Sequence, residues 1–187
     1  MKARIPRRAW IDQGLTALGV GGPDGVRIEG VARALGVTKG GFYGYFADRG
    51  ALLEEMLDTW EREVTDAVIE QVEREAADPS ARARLQRLFQ VVGYADDTPT
   101  IGVAVDLAIR DWARRDAGVA ERLRRVDNRH VSYLRSLLGE LCADELEVEA
   151  RCLVIMSIRI GDHLVVADHA GHRRAEVLER VLRRQLG

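Results

Sequence analysis

The sequence predicts an all-α protein of about nine helices with no internal repeat. Three observations carry that prediction. Apolar residues recur at spacings of three and four along most of the chain. No stretch alternates apolar and polar residues as a half-buried strand would. Only 4 prolines occur, at Pro6, Pro23, Pro79 and Pro99, so the last 88 residues contain none and can form long helices.

The elements follow in order. Pro6 suits a first helical turn, and Trp10, Ile11, Gly14, Leu15 and Leu18 place a helix over 6–19. Gly19 to Gly25 interrupts it; no G-K-[ST] follows and no strand precedes, so this is a linker rather than a phosphate loop. Ile28, Val31, Ala32 and Leu35 form one face of a short helix closed by Gly36. Thr38 is suited to cap a second short helix through Tyr45. Two helices about a Gly-containing turn make a helix-turn-helix. Asp48 then caps a long helix that runs to Asp78-Pro79, and further helices are expected at about 81–93, 101–115, 117–141, 145–167 and 173–186. Ile101, Val105, Ala108 and Trp112 stripe the second of these. Val119, Leu123, Val126, His130, Leu134, Leu137 and Leu141 stripe the third, and Asp144 caps the fourth.

Composition excludes several classes. Hydrophobic residues at 47% and charged residues at 31% suffice for a core. Cys142 and Cys152 cannot frame a disulfide scaffold and read as inert thiols of a reducing compartment. The longest apolar run, Leu153 to Ile158, is too short for a membrane span, and Asp12 and Gln13 interrupt any secretory core after the basic start. A cytoplasmic setting is expected. The net charge of −2 conceals a basic head: residues 1–50 hold 8 basic and 4 acidic groups, the remainder 20 and 26. That asymmetry favours a polyanion-binding head on an acidic body.

At Ile28 to Leu53 the residues resemble a known family. Val31-Ala32-x-x-Leu35-Gly36-Val37-Thr38-Lys39-Gly40-Gly41-Phe42-Tyr43-Gly44-Tyr45-Phe46-x-x-Arg49-x-x-Leu52-Leu53 is similar to the DNA-binding signature of the TetR (tetracycline-repressor-like) transcriptional regulators. With the first helix the resemblance spans residues 6 to about 57. It implies a homodimer with a three-helix head, here 1–47, and a helical effector-binding and dimerisation domain, here 48–187. It also implies a double-stranded DNA operator, a small-molecule effector, no enzymatic activity, no membrane association, and neither cofactor nor metal.

Leu35, Val37, Phe42 and Phe46 are spaced to pack the head. In the family the residue matching Tyr43 contacts a phosphate, and the one matching Tyr45, often His, acts similarly; a structural role is the alternative for each. Thr38 can offer its hydroxyl to a phosphate or simply cap. Arg49 stands where the family commonly has a Lys that pairs with the DNA backbone; a solvated Arg is the alternative. Lys39 can donate to guanine O6 and N7, and Gly40 and Gly41 allow close approach to the groove. Arg27 replaces the family's frequent Thr and still reaches a phosphate. Glu29 would repel phosphate unless it accepts from a cytosine N4.

Elsewhere the signals are weaker. Phe89, Trp112, His130, Tyr133, Met156 and Arg159 place aromatic or polar groups on apolar faces and are expected to line a ligand pocket, with ordinary core as the alternative. Leu153, Val154, Ser157 and Gly161, with Val177, Leu178, Val181 and Leu182, are expected at a dimer interface. Asp106 and Arg110 read as a solvated (i, i+4) pair, or as a ligand clamp if their helix lines a cavity. His163, His169 and His172 do not share one helical face, so a polar helix end is preferred over a metal site. The function expected is a ligand-responsive DNA-binding regulator, most simply a repressor. The alternatives are a same-fold regulator answering a protein partner or nothing, and a helical enzyme or carrier with a vestigial head.

Overall fold

The structure, a computed structural model, describes residues 5–92 and 102–186. All regular structure among them is helical: α1 (Arg7–Gly25), α2 (Ile28–Ala34), a 3-10 helix η1 (Lys39–Gly44), α3 (Arg49–Val64), α4 (Asp66–Glu75), α5 (Ala81–Val91), α6 (Val103–Ala113), α7 (Ala117–Gly139), α8 (Glu145–Gly161) and α9 (Arg174–Gln185). Two compact units result. The first comprises Met1–Glu63 and Ile101–Arg124, the second Val64–Thr100 and Arg125–Gly187.

In the first unit α1, α2, η1, α3 and α6 surround a core that includes Trp10, Leu18, Phe42, Leu52, Met56, Trp60 and Ile109. Gly14 is required by the close approach of α1 and α3, because a Cβ there would lie 2.6 Å from Met56 Sδ. On the outside Arg122 holds the α3 carboxylates of Glu54 (2.7 Å), Asp58 and Glu61 (3.3 Å). In the second unit α4, α5, α8, α9 and residues 125–139 of α7 enclose Val72, Leu85, Leu88, Leu134, Leu137, Leu138, Cys152, Ile155 and Leu182. Burial pushes the Cys152 thiol pKa up, so it stays protonated and unreactive.

The local signals act as expected where they are strong. Asp48 Oδ1 accepts from Ala51 N at 2.9 Å and Asp144 Oδ1 from Leu146 N at 3.0 Å. A further cap, not foreseen, is Ser80, whose Oγ accepts from Ala83 N at 3.2 Å. Four expectations need correction. The first helix runs past residue 19 and kinks only at Gly21 and Gly22, where φ/ψ leave the helical region. The long helix after Asp48 is two helices, broken at Thr65 (φ −110°, ψ −87°). His130 Nε2 lies 2.7 Å from the Val64 carbonyl, a side chain engaging the helix ladder at the break. The helix from 145 stops at Gly161, where Arg174 takes the Asp162 carboxylate (2.5 Å) and the Asp162 and Val165 carbonyls. Finally, Asp106–Arg110 is not solvated: the pair is made at 2.9 Å with both side chains largely buried. Ile101, with Lys2 and Arg4 of the basic start, lies outside the described residues.

Gly36 is the one position in the helix-turn-helix where φ is left-handed, at +67°, and its surroundings are open. Gly36→Ala should therefore lower stability by about 1–2 kcal/mol through backbone strain alone. Chemical denaturation checks this; an unchanged midpoint would show that the turn relaxes.

Candidate nucleic-acid interface

The reading head starts from a helix that ends abruptly. Gly36 N–H donates to Arg33 O and Val37 N–H to Ala32 O, both at 3.0 Å, which closes α2 as a Schellman motif and reverses the chain. Thr38 is extended (φ −84°, ψ 154°) and begins η1, although its hydroxyl makes no capping bond. The second short helix is thus a 3-10 helix rather than an α-helix. Gly40, Gly41 and Gly44 each weaken it by about 1 kcal/mol relative to Ala, and six residues add few helical bonds.

Packing holds it instead. Phe42 is fully buried, edge-on to Trp10 at 5.6 Å and stacked on Phe46 at 5.2 Å. The Arg7 guanidinium covers Phe46 at 4.8 Å and pairs with Glu55 of α3. With Phe42 pointing in, Lys39, Gly40, Gly41 and Tyr43 of η1 and the adjacent Thr38 are exposed. The Tyr43 ring stands edge-on to Phe42 at 5.3 Å and is 53% exposed. Arg27, at the N-cap of α2, is exposed too.

Two expected DNA contacts have work inside the head. Tyr45 OH donates to Ile5 O at 2.8 Å and ties down the segment before α1. Arg49 Nε donates to Val26 O at 2.7 Å, and its Nη2 to Pro23 O, so the guanidinium gathers carbonyls at the C-terminal end of α1. Lys39 is not isolated either: its Nζ lies 2.5 Å from Glu29 Oε1. That bond holds the Glu29 carboxyl below its ordinary pKa and raises that of Lys39. Spacing along the chain does not reveal this pair, because the residues sit in different helices and only the turn at Gly36 brings them together.

The effector candidates fall in both units. Trp112 lies in the first; Phe89, His130, Tyr133, Met156 and Arg159 lie in the second. Phe89 and Met156 belong to the buried cluster, and Tyr133 packs against it. Tyr133 OH donates to Glu73 Oε1 at 2.7 Å; burial and that carboxylate push the phenol pKa up. Arg159 Nη1 donates to His130 Nδ1 at 3.1 Å, so the proton of the neutral ring sits on Nε2 and is donated to Val64 O. Of the interface candidates, Leu153, Val154 and Ser157 are exposed, while Gly161, Val177, Leu178 and Val181 are half-buried. Leu182 is in the core of its own chain. Among the described residues no group of three or more His, Cys, Asp or Glu side chains is placed to hold a metal ion.

Residues 11–56 match the model of bacterial regulatory proteins of the tetR family. The tetR match covers this head alone. A head of this type is a DNA-binding head. The HTH-type transcriptional regulator BetI of Cronobacter sakazakii is 35% identical over 109 residues, 58% of this chain; the match spans about half (52%) of that protein's length. Solved structures share the fold across the whole chain. One is a protein of Saccharomonospora viridis described as a transcriptional regulator, in complex with choline, with TM-score 0.75, 15% identity, and 95% and 93% of the two chains covered. Another is the ketosteroid transcriptional regulator KstR2 of Mycobacterium tuberculosis, with TM-score 0.63, 18% identity, and 97% and 94% covered. No helix among the described residues is long and apolar enough to cross a membrane.

Because Arg49 holds the Val26 carbonyl and joins Val26 N–H at the Pro23 carbonyl, Arg49→Ala should destabilise the head by about 1–3 kcal/mol, the cost of removing a donor from carbonyls partly shielded from water. Urea denaturation measures this. A wild-type midpoint combined with a flatter salt dependence of DNA affinity would assign Arg49 to phosphate instead.

Proposed function

We propose that this chain is a homodimeric transcriptional repressor that leaves its operator when a small, mainly hydrophobic ligand binds the helical body. The observation that carries the DNA half is the exposure of Thr38, Lys39 and Tyr43 on a short helix fixed from behind by buried Phe42. Thr38, Tyr43 and Arg27 are assigned to phosphates and Lys39 to bases, with Gly40 and Gly41 admitting the groove edge. Tyr45 and Arg49 keep a phosphate role only beside their bonds within the head.

Dimerisation rests on α8. Leu146 and Leu153 are 79% and 69% exposed, and Val154 lies next to them. A second copy would cover this surface, together with Ser157, Gly161, Val177, Leu178 and Val181. The ligand is assigned to the second unit, where Phe89, Met156 and Tyr133 supply apolar and aromatic surface and His130 with Arg159 a polar end. The Saccharomonospora viridis protein holds choline, a small cation. Here the Arg159 guanidinium favours a ligand ending in an acceptor, such as a carbonyl or carboxylate.

Operator binding is tested by fluorescence anisotropy on pseudo-palindromic duplexes with half-sites about one helical turn apart or slightly more. Tyr43→Phe and Thr38→Ala should weaken every duplex alike, whereas Lys39→Ala should also relax base preference. A wild-type protein with no preference for any duplex would refute the repressor reading.

Assembly is read by light scattering. Leu153→Arg should give monomers, because an unpaired charge at a buried interface costs several kcal/mol. A dimeric Leu153→Arg protein would move the interface away from α8.

A further inference from the structure

We propose that Glu29 and Lys39 act together as one reading unit that selects a G·C pair in each operator half-site, an inference that rests on the DNA-binding reading above. Glu29 stands in the first turn of α2, and Lys39 opens η1 beyond the Gly36 turn. Both side chains are about half exposed, and Nζ and Oε1 are 2.5 Å apart. An exposed pair of this kind adds little to fold stability. A carboxylate on a face that must approach phosphates also opposes binding. Its value lies in what the pair presents: a donor and an acceptor side by side.

That arrangement matches a G·C pair best: a T·A pair repeats its acceptor and donor as O4 and N6 but puts a methyl group where guanine N7 accepts, so only G·C takes both Lys39 bonds. In the major groove guanine O6 and cytosine N4 are neighbours, joined by their own hydrogen bond of about 2.9 Å. The Lys39 ammonium can donate to guanine O6 and N7 while the Glu29 carboxylate accepts from cytosine N4. An A·T pair in the same orientation inverts both positions. The N6 amine replaces O6 and faces the ammonium, and thymine O4 replaces N4 and faces the carboxylate. Donor then meets donor, and acceptor meets acceptor. Opposite an A·T or C·G pair Glu29 has no amine to accept from at that position, so its charge acts only against the polyanion. Glu29 therefore sharpens selection twice, by rewarding an amine at that position and by weakening binding where there is none.

The experiment selects duplexes from a random-sequence pool with the full-length wild-type protein. Anisotropy then measures the best duplex, its single-pair substitutions and a scrambled duplex against wild type, Glu29→Ala, Lys39→Ala and the double variant. The wild type should show a G·C pair in each half-site whose change to A·T weakens binding about tenfold or more. Glu29→Ala should reduce that ratio to about threefold or less and bind the scrambled duplex several-fold more tightly. The double variant should lose no more discrimination than either single variant, because the two groups read one pair. If Glu29→Ala weakens all duplexes by one factor and leaves the ratio intact, Glu29 only supports α2 and the proposal is overturned. If the wild type selects a site in which no G·C pair responds to Glu29, the proposal falls and the repressor reading stands. If the wild type selects no site, both fall.

Discussion

The recognition helix cannot sustain itself, and the rest of the head is arranged around that weakness. Six residues with three glycines, Gly40, Gly41 and Gly44, form η1, and in isolation such a segment would not stay folded. Burial of Phe42 supplies what propensity withholds: complete removal of a phenylalanine side chain from water is worth about 1.5–3 kcal/mol. Trp10 and Phe46 shape the slot around it. Anchoring from behind frees the front. Every other residue of η1 is exposed, so the glycines that make the helix weak also leave its outer surface low.

Charge in the head is divided between holding and reading. Arg7 pairs with Glu55, Arg8 with Asp12 and Glu63, and Arg49 with the Pro23 and Val26 carbonyls. Part of the basic excess visible in residues 1–50 is therefore engaged within the first unit. Among the described residues what remains outward is a small set, Arg27, Arg33 and Lys39 with the hydroxyls of Thr38 and Tyr43, and Lys39 carries a carboxylate partner. Binding by such a face would lean on a few directed contacts more than on bulk attraction.

The second unit shows the same economy in its polar groups. His130 lies on the apolar stripe of α7, yet both ring nitrogens are engaged, one by the Val64 carbonyl at the break between α3 and α4, the other by Arg159. Tyr133 similarly turns its hydroxyl to Glu73 while its ring covers the cluster.

Local features were legible in the sequence because their causes are local. Asp48 and Asp144 cap helices with bonds spanning two or three residues, Gly36 closes α2 through its own φ, and the buried positions Trp10, Leu15, Phe42 and Phe46 follow from helical spacing. The family signature was legible for the same reason, being a contiguous run of side chains. The partners of long polar groups were not. Arg49 reaches carbonyls more than 20 residues away, Glu29 reaches Lys39 across a turn, and His130 reaches Val64 from another helix. Spacing along one helix says which face a residue occupies but not what stands opposite. The break at Thr65 and the early end of α8 at Gly161 arise in the same way, from a distant side chain taking a backbone carbonyl. Sequence alone determined the all-helical class, the Asp48 and Asp144 caps and the buried face of the head. Only the tertiary structure decided which exposed charges are occupied, because a flexible side chain takes its partner from the geometry of the completed fold.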